Sequence, residues 1–391
     1  MSTAVLARRR LPLLALAIVA LLAGLTGALV LLGLPMPSET AQLAAIHGVL
    51  MTLGFLGTMI ALERAVALGR RWGYVAPLGA GLGGVALMLG LPPVIGASLM
   101  VIGGAAFVAM YVAFDRIERS LHTSVQAVGA VAWLVAALLL VSGRPVSAVI
   151  PWLAAFLVLT IAGERLELSR LGGLSPKARL GFVVVAALFC GGVVVTLVEP
   201  DLGVRFGGAG LIGLAAWLAR NDLARRTVRF PGVTRFIALC LLIGYAWLAV
   251  AGGCWLVFGG AGLTGAGQPY DAMLHTLFLG FVMSMVFGHA PIILPAVLRL
   301  PLPYQPRFYW HLALLHAGLL LRVVGGDVLG SQAAWQAGGI LNVTALLLFV
   351  GSSAVAIVAA TDRGRARGLP RRRASRGAEL PHAFSGSSRE T

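Results

Sequence analysis

Residues 271–291 read DAMLHTLFLGFVMSMVFGHAP, and the fold turns on them. The run is apolar and of the length that crosses a bilayer. It carries two histidines, His275 and His289, fourteen positions apart. In a regular α-helix that interval is about 21 Å along the axis and returns nearly to the same face. An imidazole inside lipid is costly and turns inward toward a partner, so the rest of the sequence is searched for partners.

Composition names the class. Of 391 residues, 59% are hydrophobic and only 11% charged, with a mean hydropathy of +0.93, where a soluble domain has about a quarter charged. An all-α, polytopic membrane protein of about twelve helices is expected, in contact with the lipid bilayer over most of its surface. The net charge of +16 is loop arginine rather than a nucleic-acid surface. Residues 1–361 form the transmembrane helical domain; residues 362–391, rich in Arg, Gly, Ser and Pro, read as a disordered basic cytoplasmic tail that could touch anionic lipid. Cys190, Cys240 and Cys254 lie in apolar runs without paired spacing and read as buried thiols. Arg8, Arg9 and Arg10 precede an apolar run too long for a signal peptide and without a cleavage site, so it reads as a retained first helix.

Twelve segments have spanning length: 11–33, 41–64, 74–91, 94–114, 123–142, 147–164, 180–197, 202–219, 233–258, 271–292, 308–325 and 335–360. Placing both termini in the cytoplasm puts 27 of the 30 basic residues on the inner side and leaves Arg144, Arg205 and Arg322 toward the outer one. That is the orientation the positive-inside rule selects, and a missed helix would scramble the asymmetry.

The second segment ends IALERA (60–65) and the sixth ends IAGERL (161–166). Each sets a Glu-Arg pair, Glu63–Arg64 and Glu164–Arg165, at the inner face, four helices apart. Four more helices lead to the tenth segment, so three units of four helices are one reading. Two short matches arising by chance, with interfacial ion pairs as their only role, are the other.

Five histidines lie in segments two, ten and eleven: His47, His275, His289, His311 and His316. His122 and His382 sit at a loop edge and in the tail and need no role. By depth, His47 and His275 share a level near the outer face, while His289, His311 and His316 group toward the inner one. Two neutral imidazoles facing each other across a bundle can take both axial positions of a haem iron, so His47 and His275 are candidate ligands of a b-type haem. His289 with His311 or His316 could hold a second, inner haem or a metal. Gly48, Gly54, Gly57, Gly280 and Gly288 would let a flat macrocycle approach, and Met51, Met59, Met273, Met283 and Met285 would line it; ordinary membrane packing uses the same residues. Arg322, close in depth to the outer pair, is either a fork for a haem propionate or an arginine reaching for the outer interface.

The pattern resembles the core subunit of haem–copper oxidases: twelve helices, the amino terminus inside, and histidines at the outer ends of helices two and ten. That resemblance implies His47 and His275 as low-spin haem ligands. The chain also looks like the NnrS group, haem-containing membrane proteins linked to nitric-oxide stress, chiefly through HGVLMTLGFLGTMIALERA (47–65). It implies a multi-pass protein of the bacterial cytoplasmic (inner) membrane that passes electrons to a redox partner or responds to a small ligand of the nitric-oxide type. The departures are specific. Met273 stands where oxidases place a second haem-binding histidine, and segments six and seven contain no histidine for copper. A copper-coupled reductase is therefore not expected.

Two other functions compete. Twelve helices also suit a secondary transporter without haem, although the loop between segments six and seven is short and midplane carboxylates are scarce. A scaffold or assembly factor would need none of the five histidines.

Overall fold

The computed structural model describes residues 10–264 and 267–368. Among them there is no strand. The helices are α1 (Leu11–Leu31), α2 (Ser38–Leu68), α3 (Val75–Met88), α4 (Pro93–Ile117), α5 (Leu121–Val141), α6 (Val146–Ser169), α7 (Pro176–Val195), α8 (Pro200–Asn221), α9 (Val233–Thr264), α10 (Pro269–Leu298), α11 (Phe308–Val328) and α12 (Gln332–Gly368). Eleven of these are long and apolar enough to cross a membrane. The exception is α3, expected over 74–91. It has 14 residues, and a 3₁₀ turn at Arg71–Tyr74 leads into it. The protein is an all-α polytopic membrane protein. α12 continues as backbone helix through Gly368, and residues 369–391, with His382, lie outside the described residues, as do Arg8 and Arg9.

Short connections force neighbouring helices antiparallel. α1 packs on α2, α3 on α4, α5 on α6, α7 on α8, α9 on α10 and α11 on α12; α4–α5, α8–α9 and α12–α1 contacts join these hairpins. α6 lies innermost: 83% of its most apolar window is buried, against 28% for α7 and for α12. α10 touches both α2 and α6, and α2 reaches α6 through Arg64 and Glu164. The helices at the interval of four are thus the ones that meet in the interior.

The two ends of the bundle differ in arginine content, and one arginine of the poor end has a structural task. α9 breaks at Gly259, whose φ of 59° favours glycine. The carbonyls of Leu256 and Val257, left without helical donors, accept from Arg205 Nη1 at 2.7 and 2.9 Å. Asp201 holds Arg205 at 2.8 Å and accepts from the Gly260 N–H at 3.1 Å.

Candidate functional site

Three stretches wind as π-helix: Leu50–Gly57, Thr276–Met283 and Leu321–Val328. The first begins three residues after His47, the second directly after His275, and the third contains Arg322. All three outer residues singled out by the sequence therefore border i→i+5 backbone, a form concentrated at functional sites. The local chemistry favours the departure from α geometry. Thr52, Thr58, Thr276 and Ser284 turn their hydroxyls onto the carbonyls four residues earlier, at 2.6–2.7 Å, an arrangement that loosens and bends helices.

Between these stretches lies a cavity of about 830 Å³ at the arginine-poor end, bounded by α1, α2, α6, α10, α11 and α12. His47, His275 and Arg322 all line it, with Met51, Phe278 and Trp335 among the apolar walls. A volume of this size suits a bulky ligand.

Each imidazole is anchored at one nitrogen. His47 Nδ1 donates to the carbonyl of Gly24 on α1 at 2.7 Å. His275 Nδ1 donates to the carbonyl of Asp271 at 3.0 Å and lies 3.2 Å from its carboxylate. The hydrogen bond on Nδ1 sets the tautomer and leaves Nε2 with its lone pair, the second-shell arrangement of metal-binding histidines. His47 is also within electrostatic reach of His275, Arg322 and Asp271. Gly48 has open space where a side chain would stand, in keeping with close approach of a flat group. Gly280 and Gly288 are explained by packing: a Cβ would come within 2.6 Å of Trp247 and 3.0 Å of Cys240.

Arg322 is placed beside the cavity but is engaged. Its Nε and Nη2 donate to the two carboxylate oxygens of Asp271 at 2.7 and 2.6 Å, and its guanidinium sits 5.4 Å from the Trp335 ring centre. The expected propionate fork has two of its donors engaged within the protein. Both fork donors already hold a carboxylate, and the residue acts as counter-ion to the group that steadies His275. Asp271 went unread in the sequence, although a carboxylate four residues before His275 in an apolar run is a visible signal. Asp327, also in the cavity wall, was missed too; its carboxyl stands against that of Asp271 and within electrostatic reach of Arg322.

The structure gives the three inner histidines separate partners. His316 has both nitrogens in use: Trp247 Nε1 donates to Nδ1 at 3.1 Å, and Ser284 Oγ lies 3.4 Å from Nε2. His311 is enclosed by the rings of Phe236, Phe287, Phe308 and Phe349, with both nitrogens unpartnered. His289 donates from Nδ1 to the Met285 carbonyl at 2.6 Å, and its charged neighbours are Glu164, Arg165 and Asp222. The three rings occupy three different surroundings. The regular-helix spacing that suggested a shared face fails because π turns separate His275 from His289. Among the described residues, no three His, Cys, Asp or Glu side chains are grouped to hold a metal ion. His47 and His275 are the two histidines that line the same cavity.

The chain belongs to the family described as a domain of unknown function, DUF8744, whose model matches residues 10–359, from α1 through nearly all of α12. No curated protein matches it.

Proposed function

We propose that this member of the family holds one b-type haem in the cavity at its arginine-poor end, where His47 and His275 would hold it, and serves electron transfer in the membrane. One observation supports the reading above the rest: two histidines from α2 and α10 line a single large cavity, and each has its Nδ1 tied to a backbone carbonyl. The donor set suits the group, since neutral imidazoles presented through Nε2 are what a low-spin haem iron takes. When bound, the haem would supply reversible one-electron chemistry.

The protein's part is positioning and exclusion. The Gly24 carbonyl fixes the His47 ring, while the Asp271 carbonyl and carboxylate fix His275. Arg322 orients Asp271 through two hydrogen bonds, and Trp335 covers the guanidinium. Met51, Phe278 and their neighbours keep water from the iron side of the rings. With His47 and His275 both committed to it, the group would suit electron transfer more than capture of a small ligand of the nitric-oxide type.

The haem-free transporter reading has a single observation of its own, the Asp327 carboxyl set against Asp271 in the cavity wall. The two readings separate in one measurement. Full-length protein purified from haem-replete cells is expected to show a Soret band that shifts on reduction and is lost in His47→Ala and in His275→Ala. A colourless, folded preparation refutes the haem reading.

A further inference from the structure

A second pocket, of about 250 Å³, opens at the arginine-rich end, where the α4–α5 and α6–α7 connections meet. It shares no residue with the histidine cavity. Its volume is below that of pockets for drug-sized ligands and suits a compact group. Three arginines from three elements line it: Arg119 from the α4–α5 connection, Arg170 from the turn after α6 and Arg179 from the first turn of α7. Glu118 lines it too, so three positive charges face one negative. Local turn chemistry sets the arginines there. The Arg170 carbonyl accepts from the Gly173 N–H at 3.1 Å, with Gly173 at a φ of 78°. Ser175 then caps α7 by accepting from the Ala178 N–H at 3.2 Å.

The guanidiniums hold donors in reserve. Arg119 stands 3.7 Å from Asp115 and Arg170 4.0 Å from Glu118, outside the length of about 2.7–2.9 Å of a charge-assisted hydrogen bond. Arg170 donates from Nη1 to His122 Nδ1 at 3.3 Å, one of the five N–H groups a guanidinium carries. His122 is only 8% exposed. With Nδ1 accepting, its Nε2 bears the proton and faces Ser120 Oγ at 3.1 Å and Glu167 at 3.8 Å. The sequence assigned His122 no role; in the structure it is the post that holds Arg170 beside the pocket. The wall also includes Ser120, which caps α5 by accepting from the Thr123 N–H at 3.2 Å, and the start of a long helix adds to the attraction of the arginines for an anion. Ile117 and Leu180, which flank the pocket in sequence, are 72% and 64% exposed. Apolar side chains so exposed at helix ends meet lipid, so the pocket sits where lipid tails give way to headgroups.

We propose that this pocket binds a phosphate group, carried by an anionic phospholipid or by a small soluble phosphate ester. Arg119, Arg170 and Arg179 donate to the phosphate oxygens, which planar guanidiniums match bidentately. His122 is a positioning residue: it touches Arg170 and not the ligand. Glu118, with 71% of its side-chain surface exposed, is free to turn to solvent when the anion enters. Binding is reversible and makes or breaks no covalent bond. The site is independent of the haem reading and uses none of its residues.

The test uses delipidated full-length protein in nonionic detergent, with phosphatidylglycerol and glycerol phosphate as separate probes, read by native mass spectrometry. Wild type is expected to hold one equivalent of a probe more tightly than any further ones. Arg170→Gln combined with Arg179→Gln changes exposed side chains and should weaken that equivalent by about tenfold or more. Arg226→Gln combined with Arg229→Gln removes the same charge from exposed positions outside the pocket and should leave it unchanged. Loss confined to phosphatidylglycerol assigns a lipid headgroup; loss that extends to glycerol phosphate assigns a soluble ester. His122→Gln keeps an acceptor for Arg170 and should bind as wild type does, whereas His122→Phe should bind several-fold less. Equal binding by these two overturns the role of His122. Equal weakening in the two arginine pairs means general attraction to a basic face and overturns the site, as does a folded wild type that retains neither probe.

Discussion

At the arginine-poor end, His47 and His275 border about 830 Å³ of open volume, each ring held by one nitrogen. At the other end, Glu63, Arg64, Glu164, Arg165 and Asp222 are packed against one another, and His289 joins them with one nitrogen unmet. Both regions place polar groups inside a bundle built for lipid, where they are costly and functional by default. The difference lies in where the unused valences point. Around the cavity they converge on a space that admits a large flat group. Around the ion cluster they lie between packed side chains. Histidine content alone does not separate the two regions; second-nitrogen anchoring and open volume do.

The comparison breaks most sharply at the spectrum. His47→Ala and His275→Ala are each expected to abolish Soret absorbance per mole of protein, while His289→Ala and His311→Ala retain it. A preparation that loses its colour only in His289→Ala would move the cofactor to the arginine-rich end and reverse the assignment of the two regions.

Next in size is the support beneath His275. Asp271→Ala leaves Arg322 buried without its carboxylate, at an expected cost of about 3–5 kcal/mol in thermal or denaturant unfolding. Losing the outer-shell partner of His275 should also weaken haem retention roughly 10–100-fold. The double variant Asp271→Asn with Arg322→Met sharpens the point. It removes the unpaired charge and should recover most of the stability, but not the haem retention. Recovery of both would mean that Asp271 serves only to neutralise Arg322.

The sequence exposed one of these layers better than the other. Apolar run lengths were enough to read the twelve helices, with α3 the short one, because bilayer thickness sets span length. Helix depth was enough to bring His47, His275 and Arg322 to one level. Depth does not tell which way a side chain faces, and for the inner histidines that decided the outcome. The face of His289 depends on π turns at Thr276–Met283, and i→i+5 winding has no residue propensity as plain as a proline or a cap. Asp271 was hidden differently. It stands at the edge of an apolar run, where a carboxylate ordinarily marks the helix end, and only its partner Arg322, 51 residues on, reveals it as buried.

At the arginine-rich end, Glu164→Gln tests how far the ion network is structural. The change removes the charge that holds Arg64 and keeps the side chain's shape. Arg64 can then turn to Glu63, so the loss should be about 1.5–3 kcal/mol, the range for a hydrogen bond to a charged group, with the Soret band unchanged. An altered spectrum would mean that the two ends are coupled through α6 and α10.

The smallest effect is expected between the two regions, at His316. Its Nδ1 accepts from Trp247 and its Nε2 lies near Ser284, so its valences are internal and point to neither end. His316→Gln retains an acceptor for the Trp247 N–H and should cost about 1 kcal/mol or less, whereas His316→Leu leaves that N–H unmet and should cost about 1–3 kcal/mol. Both variants should keep the haem spectrum. If His316→Gln lost it, His316 would be part of the cavity's support, and the two polar regions would have to be redrawn as one along α10 and α11.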